Sequence, residues 1–98
     1  MTHRFFWQVP LDHPALPGHF PGQPIAPGAV LLDRLDLFAK GIPELQGRPL
    51  RVAHAKFLQS AKPGDELTFV LQADDSGGFS FRIERDATVL VRGVLAAL

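Results

Sequence analysis

The stretch "AVLLDRLDLFAK", residues 29–40, most constrains what this chain can fold into. Pro27 and Gly28 open a helix that runs to about Lys40, where Gly41 and Pro43 stop it. Val30, Leu31, Leu32, Leu35, Leu37, Phe38 and Ala39 cover most of its circumference. Asp33, Asp36 and Lys40 fall on one narrow strip, and Arg34 sits apart. A helix apolar nearly all round is a buried helix and needs cover on several sides. The rest of the chain offers strands to supply that cover. "HRFFWQVPL" at 3–11 precedes the helix, and four strand-like stretches follow at 50–61, 65–73, 79–85 and 88–98. Turns at "KPGDE", "DDSGG" and "RDA" separate them. Phe79, Phe81 and Ile83 alternate with Ser80, Arg82 and Glu84, the period of a half-buried strand. The order predicts an α+β chain, a curved antiparallel sheet of about five strands wrapped around one central helix.

Ninety-eight residues predict a single domain, 1–98. Its core is modest, so association with a second copy is a natural way to bury more area. Ten Lys and Arg balance ten Asp and Glu, so no basic excess points to nucleic acid. Without cysteine there is no disulfide, thiolate metal site or cysteine nucleophile. None of the four histidines shows metal-ligand spacing, so no metal is expected. The apolar runs are far shorter than the ~20 residues of a membrane helix, and a cytoplasmic chain without membrane attachment is the expectation.

Between the first strand and the helix lies a Pro/Gly-rich loop, residues 12–28, ending in "GHFPGQPIAPG". It exceeds the usual connection length, and such loops are often functional. Its prolines limit backbone freedom around His19.

"PALPGHFPGQPIAPGAVLLDRL" resembles the active-site segment of the 3-hydroxyacyl-[acyl-carrier-protein] dehydratases. Pro14, Gly18, His19, Phe20, Gly22, Pro24, Pro27, Gly28 and Asp33 fall on the family pattern. "HAKFLQSAKPGDEL" is similar to its next strand and turn, with Phe57, Pro63, Gly64 and Asp65 matching. The resemblance implies the hot-dog fold, a dimer with one continuous sheet, and a hydro-lyase that turns a 3-hydroxyacyl thioester into a trans-2-enoyl thioester. The acyl group would ride on the phosphopantetheine of an acyl carrier protein, or on coenzyme A, with no bound cofactor. The acid is Asp, as in the dehydratase subtype that also isomerises the double bond. Leu37 stands where the family often has Gln.

The chemistry assigns roles within that motif. His19 suits the base that takes the proton beside the carbonyl, because an imidazole titrates near working pH. By itself it reads first as a loop histidine with a structural hydrogen bond, and the motif reverses that preference. Gly28 suits the donor to the thioester oxygen, because a helix N-terminus presents unpaired N–H groups and a positive dipole end. Asp33 suits the acid for the leaving hydroxyl. It lies five residues on, about 7.5 Å along the axis at ~1.5 Å per residue, and its side chain leans back toward the N-terminus. The helical wheel alone puts it on a solvated strip with Asp36 and Lys40, an ordinary i, i+4 pair. Cover by a dimer partner would favour the protonated acid, and in the family the His of one subunit faces the acid of the other. Phe20, Ile25, Pro27 and Phe57 are expected along the acyl group, with core packing the simpler role for Phe20, Ile25 and Phe57. Arg48, Arg51, Lys56 and Lys62 are candidates to meet an acidic carrier protein. A hot-dog acyl-thioesterase and a non-catalytic partner subunit are the alternative readings. The assembly expected is a homodimer, a larger set of dimers, or a heteromer with a related subunit.

Overall fold

The computed structural model describes residues 1–11, 26–45 and 48–98. Among them, β1 (Thr2–Gln8) is followed by α1 (Gly28–Lys40), a 3-10 turn at Pro43–Leu45, then β2 (Leu50–Phe57), β3 (Glu66–Ala73), β4 (Phe79–Arg85) and β5 (Thr88–Ala97). The strands form one antiparallel sheet in the order β1-β3-β4-β5-β2. β1 and β2 are therefore the two edges. The chain between them must cross a face of the sheet, and α1 lies on that crossing.

Strand alternation decides which side chains meet the helix. His3, Leu71, Phe81, Gly93 and Ala55 form one inward cross-strand row; Phe5, Phe69, Ile83, Val91 and Phe57 form the next. Leu31, Leu35 and Ala39 of α1 join the buried cluster built by Leu71, Phe81, Phe69, Ile83 and Val91 of these rows. Phe38 stacks on Phe5 with ring centroids 4.7 Å apart and meets Phe69 edge-on at 5.2 Å. Leu35 is 1% exposed, so truncation to Ala costs about 2–5 kcal/mol.

The turns are built from side-chain oxygens and positive-φ glycines. In the 74–78 turn the Asp74 carboxylate accepts from Ser76 N–H (2.8 Å), the Ser76 hydroxyl (2.6 Å) and Gly78 N–H (3.1 Å). In the 62–65 turn Gly64 adopts φ +88°, and its N–H bonds to Val9 O at 2.7 Å. Asp65 Oδ2 accepts from Lys62 N–H and from Arg85 Nη1, each at 2.8 Å.

The sequence expectations are corrected in three places. β1 ends at Gln8 rather than 11. β2 ends at Phe57 rather than 61, because Leu58 and Gln59 both send their N–H to Leu90 O, which ends the ladder. The helix is not covered all round. The sheet lies on one side of it, so Leu37 is 55% exposed and shares an open face with Asp33, Asp36 and Lys40.

Candidate active site

Chain entry into α1 is fixed from outside the helix. Ala26 forms an isolated bridge with Ala61, its N–H 2.8 Å from Ala61 O, and both residues are buried. Pro27 then holds φ −58° and ψ 148° at the N-cap, and its carbonyl accepts the Val30 N–H at 3.0 Å. Pro27 offers no side-chain cap, and among the described residues neither Gly28 N–H nor Ala29 N–H has an acceptor. Two backbone donors therefore point out of the positive end of the helix.

Beside them lies Phe57, the last residue of β2. A Cβ built on Gly28 would sit 2.8 Å from Phe57 Cε1 and Cζ, so the ring rests against the bare backbone of the helix start. Core packing was the simpler expectation for Phe57, but it is 51% exposed and lies outside the buried cluster. Its strand is an edge, and among the described residues no strand lies beyond it to bury the ring.

Asp33 is exposed on the open face of α1, in line with the wheel. The Asp36–Lys40 pair on the same face is formed, Oδ2 to Nζ 3.0 Å. Arg34, set apart in the sequence, lays its guanidinium over Trp7, 4.7 Å from the ring centroid, and within 5.9 Å of Phe38. That contact ties the middle of α1 to β1 through a cation–π pair, and the sequence reading missed it. The signal was present, since Trp7 is an odd position of β1 and odd positions face the helix.

His19, Phe20 and Ile25 lie outside the described residues. Of the expected site, the structure thus brings together Pro27, Gly28 and Phe57, with Asp33 further along the same helix. The four cations expected to meet a carrier protein are spread over separate elements. Arg48 folds back on the 3-10 turn, donating to Leu45 O (3.1 Å) and Glu44 O (3.3 Å). Arg51 and Lys56 lie on β2, and Lys62 lies in the following turn. No described helix is long and apolar enough to cross a membrane.

A five-stranded antiparallel sheet curled over one helix, with a Pro-Gly helix start beside its last-placed edge strand, defines the hot-dog class. The chain belongs to the ApeI-like dehydratase family, whose model matches residues 2–94. It is similar to the 3-hydroxyacyl-[acyl-carrier-protein] dehydratase FabZ of Syntrophobacter fumaroxidans, 28% identical over 89 residues, which is 83% of this chain and 60% of that enzyme. It is 41% identical to the FabZ of Chlamydia trachomatis over 69 residues, 61% of this chain and 45% of that enzyme. The chain thus spans about half of the length of these curated relatives. Two solved structures share the fold. The dehydratase heterocomplex ApeI:P from Xenorhabdus doucetiae superposes with a TM-score of 0.79 at 21% identity, over 97% of this chain and 85% of that one. A 1,4-dihydroxy-2-naphthoyl-CoA thioesterase from Synechocystis superposes with a TM-score of 0.62 at 19% identity, over 97% and 79%.

Proposed function

We propose that this protein eliminates water from a 3-hydroxyacyl thioester to give a trans-2-enoyl thioester. The observation that carries the reading is the helix start, where Gly28 N–H is free of partners among the described residues and Asp33 follows on the same helix. The thioester carbonyl accepts from Gly28 N–H, which stabilises the charge that builds on its oxygen. His19 takes the proton from the carbon next to that carbonyl. The C–O bond at the third carbon breaks, and Asp33 gives its proton to the leaving hydroxyl, directly or through a water. Water departs, and a proton passes back from His19 to Asp33 before the next turnover. These steps call on no metal or bound cofactor.

The site is completed by a second subunit, with His19 of one copy opposite Asp33 of the other. The edge strand β2 supports this, because among the described residues its outer side is unpaired and Val52, Phe57 and Leu58 are exposed along and just beyond it. Free edges with apolar side chains are sites of strand addition. The second subunit is another copy of this chain or, as in the heterocomplex named above, a related one. The acyl group is carried by an acyl carrier protein in our reading, with coenzyme A as the alternative.

The test supplies 3-hydroxyacyl carrier protein to the purified chain and to His19→Ala and Asp33→Asn. Each variant is expected to lose turnover by roughly 10²–10⁴-fold; equal turnover in all three overturns the mechanism. A free acid in place of the enoyl thioester identifies a thioesterase, the activity of one fold neighbour. Turnover only after mixing with a related subunit identifies the heteromer.

A further inference from the structure

The face of the sheet turned away from α1 carries an unusual arrangement of charge. Strand register aligns Arg4 of β1, Val70 of β3, Arg82 of β4, Arg92 of β5 and Lys56 of β2 in one cross-strand row. Arg92 is directly opposite Arg82 on one side and Lys56 on the other. Like charges in such positions are destabilising. Among the described residues only Glu84 answers them, through Arg82 Nε at 3.1 Å, while Arg92 and Lys56 have no acidic partner. Away from this face, Asp36–Lys40 and Asp65–Arg85 form ion pairs of opposite charge. The chain has no net charge, so this row is a local concentration and not a reflection of a basic protein.

Lys56, Arg82 and Arg92 of this row line an open depression of about 410 Å³, together with Ser80 and His54. Two guanidinium groups and an ammonium line this space, which is roomy enough to admit a tetrahedral anion with its hydration water. Glu84 engages Arg82 through Nε, so the terminal nitrogens of that guanidinium stay available. Planar guanidinium forks match phosphate oxygens in pairs, and an ammonium adds a point charge. Three cations set against one carboxylate call for a ligand carrying two negative charges.

We propose that this depression, formed by Lys56, Arg82 and Arg92 with Ser80 and His54, binds a phosphate dianion, either free phosphate or the terminal group of a phosphate monoester. It lies on the sheet face opposite the helix, separate from the Gly28–Asp33 region, so it is independent of the dehydratase reading.

The test is thermal unfolding at constant ionic strength, with sodium chloride exchanged for inorganic phosphate or for glycerol phosphate. Binding at tenfold excess over Kd raises Tm by about 5–10 °C, and the rise saturates. Exclusion of phosphate from the protein surface also stabilises folds, but that effect does not saturate and does not depend on Arg92. Arg92→Thr, a residue suited to strands, is expected to melt no lower than the parent in chloride and to lose the phosphate-dependent rise. Lys56→Thr serves if the first variant does not fold. A rise with both anions assigns a monoester site, and a rise with inorganic phosphate alone assigns a free-phosphate site. No rise above chloride, or a rise retained in the variants, overturns the proposal.

Discussion

The ring of Phe57 rests on Gly28, with Cε1 2.8 Å from where a Cβ would stand. The edge strand and the helix start thus meet at a position that only glycine fills without displacement. Phe57 is half-exposed and is the far end of a side chain, so it can swing aside at small cost. Gly28→Ala is therefore expected to keep the fold and to lower kcat by roughly 10²-fold, the scale of a misplaced reacting group. Melting curves and steady-state kinetics check both halves. Gly28→Ala combined with Phe57→Ala should recover any lost stability but not the rate.

Gly93 is a different case. A Cβ there would overlap His54 O and lie 2.9 Å from Ala55 Cα and Phe81 Cε1, so backbone stands in the way. The strands cannot yield as a ring can. Gly93→Ala is expected to cost about 3 kcal/mol, measured as a lower midpoint in urea with an unchanged slope.

Asp65 joins the end of β4 to the turn before β3, accepting from Lys62 N–H and Arg85 Nη1. Both side chains of the ion pair are mostly covered, at 20% and 29% exposure. Asp65→Ala leaves a partly buried guanidinium without its carboxylate and is expected to cost about 2 kcal/mol. The loss should persist in high salt, unlike that of the exposed Asp36–Lys40 pair.

The Asp74 carboxyl titrates below its ordinary value, held there first by the Ser76 hydroxyl, then by the Ser76 and Gly78 N–H groups. A depressed folded pKa adds stability that is present above the unfolded pKa and lost as pH falls through the folded one. Melting temperatures of the parent and Asp74→Ala should therefore differ at neutral pH. The gap should begin to narrow below the ordinary carboxyl value of 3.8 and go on narrowing as pH falls through the folded pKa. A gap that stays constant through this range contradicts the assignment.

Leu37 is 55% exposed on the open face of α1. If that face is covered by a second subunit, Leu37→Glu should weaken association at micromolar concentration in sedimentation. The fold of the single chain should change by no more than about 0.5 kcal/mol, as for other exposed substitutions.

The sequence alone determined the element order and the fold class. Period-2 alternation in 79–85, the Pro-Gly helix start and the glycine turns are local signals, and local backbone preferences are enough to produce them. The motif residues likewise pointed to the helix end and, through the family resemblance, to Asp33 as the candidate acid. Strand ends were less legible, because β2 stops where Leu58 and Gln59 converge on one carbonyl of a distant strand. Tertiary structure alone decided that Phe57 lies on Gly28 instead of in the core, that Arg34 covers Trp7, and that Leu37 remains open. It alone aligned Arg82, Arg92 and Lys56, which are scattered along the chain. Each of these depends on strand order and register, which pair residues far apart in sequence. A one-residue slip in register would have turned every such side chain to the other face.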